Sequence, residues 1–223
     1  MQNFVVISAD IKASRKLHDY ERYEWQLFMK SAIVQINDNY RSHIEAPFMI
    51  TKGDEFQGVL KNLELVSPVM LEFEHLLYPL RLRFGVGYGA IQKMGSNICI
   101  EMDGPAFHLA SSALDEAKKG KTAVFVNTRH EAFDLSLNTI YKLTFSIKHR
   151  WNELQYKRYW KYKETGTCKR VALDEHVSAQ AVWDSLHHSG ALEVIKVEQA
   201  IRKLYAYRQL SSEDSDTEQT SFL

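Results

Sequence analysis

The strongest constraint in this 223-residue chain is a run near its start, residues 3–9, in which Phe4, Val5, Val6 and Ile7 follow one another without a polar break. Such a run suits a strand buried on both faces rather than one open to water on one side. A strand of that kind needs sheet neighbours and covering helices, and this one ends at a carboxylate, Asp10. Between residues 19 and 40, Tyr23, Leu27, Met29, Ile33, Val34, Ile36 and Tyr40 recur at helical spacing, which predicts one long helix. Pro47 then opens an extended Phe48-Met49-Ile50-Thr51. Lys52-Gly53-Asp54-Glu55 reads as a tight turn and residues 56–60 as a second extended stretch, so the segment predicts a β-hairpin with two carboxylates at its tip.

A helix is expected over 65–77 and, after Pro79, a strand over 80–89. There Gly85, Gly87 and Gly89 leave one face bare for close backbone approach, by a ligand among other things. Residues 96–102 read as a further strand, 103–119 as a helix closed by Gly120, and 122–127 as another strand. This order predicts an α/β sheet layered with helices and related to the ferredoxin-like arrangement. Beyond Asn127 the pattern is helical over 130–151, 151–164, 169–175, 179–189 and 194–208. The expected division is an α/β domain over 1–147, an all-α domain over 148–210, and a tail over 211–223.

Net charge is zero, but its distribution is uneven. Residues 145–210 carry 12 Lys/Arg against 7 Asp/Glu, whereas 211–223 carry none against 4, which reads as a solvated acidic tail. Cys99 and Cys168 stand far apart, so neither a disulfide framework nor a cysteine zinc site is indicated. No apolar run approaches the roughly 20 residues of a membrane span, and the opening residues lack the basic start of a signal peptide. A cytoplasmic protein without a membrane partner is expected.

Adjacent strands lie about 4.8 Å apart, so Asp10 at a strand end and Asp54 on a hairpin can face each other across a sheet edge. Two such carboxylates repel, and a divalent cation relieves that. Mg2+ commonly takes one or two carboxylates together with substrate phosphates. The same residues admit a plainer reading, because Gly-Asp is good turn chemistry and Asp10 can serve as a strand-end cap.

Four blocks occur in order: Val5-Val6-Ile7-Ser8-Ala9-Asp10-Ile11, Gly53-Asp54-Glu55-Phe56, Leu82-Arg83-Phe84-Gly85-Val86-Gly87-Tyr88-Gly89 and Asp103-Gly104-Pro105-Ala106-Phe107. Together they resemble the SatD family of bacterial proteins over most of the chain. More distantly, over residues 3–127, they resemble the class III and GGDEF-type nucleotide cyclases. The cyclase resemblance implies Mg2+ or Mn2+ held by Asp10, Asp54 and the carbonyl of Ile11. It also implies a nucleoside triphosphate near Ser14, Arg15, Lys52, Gly53, Glu55 and His108, and a head-to-tail homodimer. Class III cyclases stabilise their transition state with an Asn and an Arg on the helix after the glycine strand. Here His108 stands near the Asn position and serine, at Ser111-Ser112, where the Arg would fall. Arg15, Lys16, Lys52, Arg81 and Lys118 are the cations available to substitute, and turnover is left open.

The segment 167–183 has the spacing of a helix-turn-helix of the sigma-factor and LuxR-like type, with small Ala172, a turn near His176 and Ser178 as N-cap. In that motif the second helix enters the major groove. Ser178, Gln180 and Trp183 or Asp184 would then read bases. Lys169 and Arg170, with Lys157, Arg158, Lys161 and Lys163, would meet phosphates. The alternative for this segment is a helical module for dimerisation or packing. For the whole protein the alternatives are a DNA-binding transcriptional regulator whose first domain is a catalytically inactive dimerisation scaffold, and a structural or adaptor protein that binds neither nucleotide nor DNA.

Overall fold

Strand β1 (Asn3–Ile11) lies at the centre of a five-stranded sheet, with β3 (Glu55–Leu60) and then β2 (Ile44–Lys52) on one side and β4 (Leu82–Ala90) and then β7 (Val124–Asn127) on the other. The structure is a computed structural model describing residues 2–12, 19–93 and 98–220, with side chains described throughout these except at 19–22 and 211–220. Every β1 residue from Phe4 onward is buried, as its unbroken apolar run requires. Helix α1 (Asp19–Asn39) follows, then the hairpin of β2 (Ile44–Lys52) and β3 (Glu55–Leu60). A 3-10 turn (Leu63–Leu65) leads into α2 (Val66–Leu76) and strand β4 (Leu82–Ala90). Strands β2, β3, β1 and β4 pair antiparallel, which with their order makes the βαββαβ ferredoxin-like arrangement. Helix α3 (Pro105–Gly120) then leads to β7 (Val124–Asn127), which pairs parallel to β4 and extends the sheet.

The expected strand over 96–102 is corrected. Cys99–Glu101 form a 3-10 turn, and only two-residue strands β5 (Gln92–Lys93) and β6 (Met102–Asp103) pair there; residues 94–97 lie outside those described. The apolar side chains of Cys99 and Met102 signalled burial, which a turn seated on the core provides equally well. The close of α3 also differs. Gly120 is its last helical residue, and Lys121 takes the left-handed conformation that ends it, at φ 52°.

Alternation along the strands divides the core in two. On one face Phe4 and Val6 pack with Val59, Cys99, Ala106, Phe107 and Ala110. On the other, the ring of Phe73 from α2 lies 5.1 Å from Phe48 and 4.7 Å from Phe56. The side chain of Asn37 on α1 donates to the Phe48 carbonyl at 2.9 Å and accepts from its amide at 2.8 Å, satisfying backbone groups of β2.

The chain divides into two compact units, residues 1–141 with 202–223, and residues 142–201. Helices α4 (Glu131–Lys148) and α8 (Ala191–Thr220) each contribute to both units, and α8 runs on through acidic residues of the expected tail. The second unit holds α5 (Glu153–Thr165), α6 (Cys168–Glu175) and α7 (Ala179–His188). Each starts where a side chain accepts from the helix N-terminus: Asn152 with Gln155 in a capping box, Thr167 from Arg170, and Ser178 from Ala181. Gly166 ends α5 and His176 ends α6, both left-handed.

Candidate functional site

The register of the sheet assembles a row of charge. Asp10 on β1 stands opposite Glu55 on β3 and opposite Arg83 on β4. Directly opposed residues project to one face, and counting by twos places Asp10 with Ser8, Val6 and Phe4. Gly85, Gly87 and Gly89 are their partners on β4, on the same face as Arg83. That is the face α3 covers. The glycines let it lie almost in contact with the strand, for a Cβ at Gly85 would meet the Leu114 nitrogen at 2.2 Å and one at Gly87 the Ala106 carbonyl oxygen at 2.2 Å. One helical turn beyond Leu114 comes Lys118, delivered to the same row.

Arg83 donates to Asp10 through Nε at 2.9 Å and a terminal nitrogen at 3.0 Å, a bidentate pair. Lys118 Nζ lies 3.7 Å from the second Asp10 oxygen and donates to Glu55 at 2.8 Å. Asp10 is buried. Burial raises its carboxyl above the usual carboxylate range, Arg83 and Lys118 draw it back down, and the charge of Asp54 pushes it further up. Burial works against the Lys118 ammonium, but its hydrogen bond to Glu55 and the charge of Asp10 carry it above the usual lysine range. Asp54 therefore acts on Asp10 from the hairpin turn, where Gly53 is left-handed at φ 61°.

Asp10 and Asp54 together supply hard oxygen donors from two chain segments, which suits Mg2+ or Mn2+ completed by phosphate. Among the described residues no three His, Cys, Asp or Glu side chains gather into a full metal cage. Arg83 engages both Asp10 oxygens, so a cation on Asp10 would compete with Arg83 for the carboxylate. Ile11 is buried and pairs with Leu82, beside the row.

Of the residues expected around a nucleotide, Gly53, Asp54 and Glu55 are at the hairpin with Lys52, which is exposed. Ser14 and Arg15, like Lys16, lie outside the described residues. His108 is elsewhere. It sits in the first turns of α3, exposed, with Nε2 3.2 Å from Asp103, and the ten residues separating it from Lys118 correspond to roughly 15 Å of helix. Lys118 is among the cations expected from the sequence, and Arg83 is added to them by the structure. Its signal was present, since Arg83 keeps step with Gly85, Gly87 and Gly89 and so shares the face that α3 covers.

In the second unit, Lys169 and Arg170 are exposed on α6. Ser178 caps α7, accepting from Ala181 at 3.1 Å. Gln180 donates to Asp184 at 2.9 Å, and the Trp183 ring stacks on His187 at 4.6 Å. The four lysine and arginine side chains of α5 expected near phosphates are paired with carboxylates. Lys157 meets Glu153 at 2.6 Å, Arg158 meets Glu175 at 2.8 Å, Lys161 meets Asp174 at 2.8 Å, and Lys163 meets Glu198 at 2.8 Å. Glu198 is buried and also accepts from the Tyr159 hydroxyl.

No helix among the described residues is long and apolar enough to cross a membrane. A family model described as the SatD family matches residues 4–204. No curated protein matches the chain. Among solved structures, one described as a bacterial light-regulated adenylyl cyclase is 18% identical, with 56% of this chain and 74% of that chain covered at a TM-score of 0.42. A second structure so described is 19% identical, covering 56% of this chain and 42% of that one at a TM-score of 0.41. The chain spans less than half the length of the second.

Proposed function

The chain belongs to the SatD family, and from that premise we propose that its first unit is a cyclase-like nucleotide-binding domain. A divalent cation is held by Asp10 and Asp54, and the second unit serves as a helix-turn-helix output module, in a signalling or regulatory protein. The observation that carries the nucleotide reading is the charged row: a buried Asp10 near the end of the central strand, opposite Glu55, within reach of the charge of Asp54 in the hairpin turn, and paired with Arg83 and Lys118. Burying a carboxylate costs free energy unless it is paired or coordinates a metal. Two carboxylates with two cations beside them match what a metal-bound polyphosphate needs on its metal side and its anionic side. The metal, Mg2+ or Mn2+, supplies Lewis acidity and charge neutralisation when bound.

The reading is of nucleotide binding. The Asn and Arg that stabilise a class III cyclase transition state are replaced by His108 and serine, and loss of such a cation costs about three orders of magnitude in rate. The separation along α3 of His108 from Lys118, which lies beside Asp10, accords with a site shared between two head-to-tail copies, each contributing one end of the helix, so a homodimer is part of the proposal.

The helix-turn-helix assignment for the second unit rests on α6, the short turn through a left-handed His176, and the Ser178 cap that starts α7. The exposed Lys169 and Arg170 are its candidate DNA-phosphate contacts.

Isothermal titration of Mn2+ or Mg2+ with non-hydrolysable nucleoside triphosphates into the wild type and Asp10→Ala/Asp54→Ala tests the nucleotide reading. Metal-dependent binding to the wild type, weakened at least about a hundredfold in the double variant, is the expected result, each lost charged contact contributing about 1.5–3 kcal/mol. Absence of binding to the folded wild type would sink the reading.

A further inference from the structure

We infer that Arg83 and Lys118 are exchangeable counter-ions of Asp10: they pair with its carboxylate and turn to the phosphates of a polyphosphate ligand when a divalent cation takes their place. This inference rests on the nucleotide reading above and adds to it a coupling between metal and anion.

Charge counting gives the first argument. Asp10, Asp54 and Glu55 bring three negative charges against the two positive charges of Arg83 and Lys118. A divalent cation added to that set leaves it positive by one, which favours the approach of an anionic ligand. Both Asp10 oxygens are engaged by cationic side chains, so a metal competes with those side chains for the same carboxylate.

Mobility supplies the second. The Asp10 side chain is 7% exposed and fixed by its strand, whereas Arg83 is 19% and Lys118 30% exposed on long stems at the rim. The carboxylate stays while the cations can leave. The Arg83 fork already makes a bidentate bond to a carboxylate, and the same fork geometry fits a phosphate. Lys118 has Glu55 as a second anchor, 40% exposed, which keeps the ammonium near the site once it lets go of Asp10.

The consequence is reciprocal. Metal frees the two cations for the anion, and the anion draws them off Asp10 for the metal, so each ligand strengthens the other by the same factor. Metal alone meets competition from both side chains, and anion alone meets cations already neutralised.

The test measures Mn2+ alone, by the paramagnetic resonance signal of the free ion, and the Mn2+ complex of a non-hydrolysable nucleoside triphosphate, by calorimetry. Wild type, Lys118→Met and Lys118→Gln are compared. Removing one positive charge a few ångströms from Asp10 should strengthen binding of Mn2+ alone by about tenfold. The same variants should bind the Mn2+–nucleotide complex about tenfold more weakly. Opposite signs for the two ligands are the signature, and Lys118→Gln, which retains a hydrogen-bond donor, must behave as Lys118→Met does. If the wild type binds the complex but the variants leave affinity for Mn2+ alone unchanged or reduced, the exchange is wrong and the nucleotide reading stands. If the folded wild type binds neither ligand, both fall.

Discussion

A methyl group added at Gly85 would lie 2.2 Å from the Leu114 nitrogen and 2.3 Å from the Ala110 carbonyl oxygen, both backbone atoms that no rotamer change can clear. Gly85→Ala should therefore push α3 away from β4, destabilising the first unit by about 1–3 kcal/mol, as overpacking of a tight core does. Urea unfolding compares the two proteins, and an unchanged midpoint would refute the packing. The glycines were legible in the sequence as a bare face awaiting a close approach, but the sequence left open what approaches, and at Gly85 and Gly87 it is α3. Arg83 shows a similar limit. Its face follows from counting by twos, yet its partnership with Asp10 depends on β4 lying beside β1 in one particular register, and register is a property of two distant segments. Asp10 and Asp54 stood out because a carboxylate at the end of an apolar run and another in a glycine turn are local anomalies.

Local periodicity carried most of the element assignments. The helices predicted over 19–40, 103–119 and 169–175 appear as Asp19–Asn39, Pro105–Gly120 and Cys168–Glu175. Strong spacing and caps mark such helices without reference to the rest of the chain. The stretch 96–102 failed because a short apolar segment does not say whether it is buried as a strand or as a turn. Pairing of charges between helices was equally invisible. Lys157, Arg158, Lys161 and Lys163 look in sequence like a basic strip, but each faces a carboxylate, and those on Asp174, Glu175 and Glu198 come from α6 or α8. With these engaged, DNA binding would rest mainly on Lys169 and Arg170. Affinity for a DNA duplex should then fall only gently with salt, with a log–log slope of about −2 per copy for two phosphate contacts. Fluorescence anisotropy over rising salt reads this directly, and a slope near −5 would mean that the α5 ion pairs open to meet DNA.

Over the whole molecule, the mixed α/β character and the helical second half were readable from the order of elements, as was membership of the SatD family from four short blocks. Helices α4 and α8 each contribute to both compact units, so the boundaries at 141 and 201 fall inside helices and carry no composition signal. The charged row at the end of β1 is the spot where a domain of ferredoxin-like order would hold metal and nucleotide. Crystals grown with Mn2+ and a non-hydrolysable nucleoside triphosphate, with data collected for manganese anomalous scattering, examine that spot directly. An anomalous peak between Asp10 and Asp54, with Arg83 or Lys118 turned to the phosphates, is the predicted result. Nucleotide bound elsewhere, or an unaltered Asp10–Arg83 pair without manganese at saturating Mn2+ and nucleotide, would contradict it.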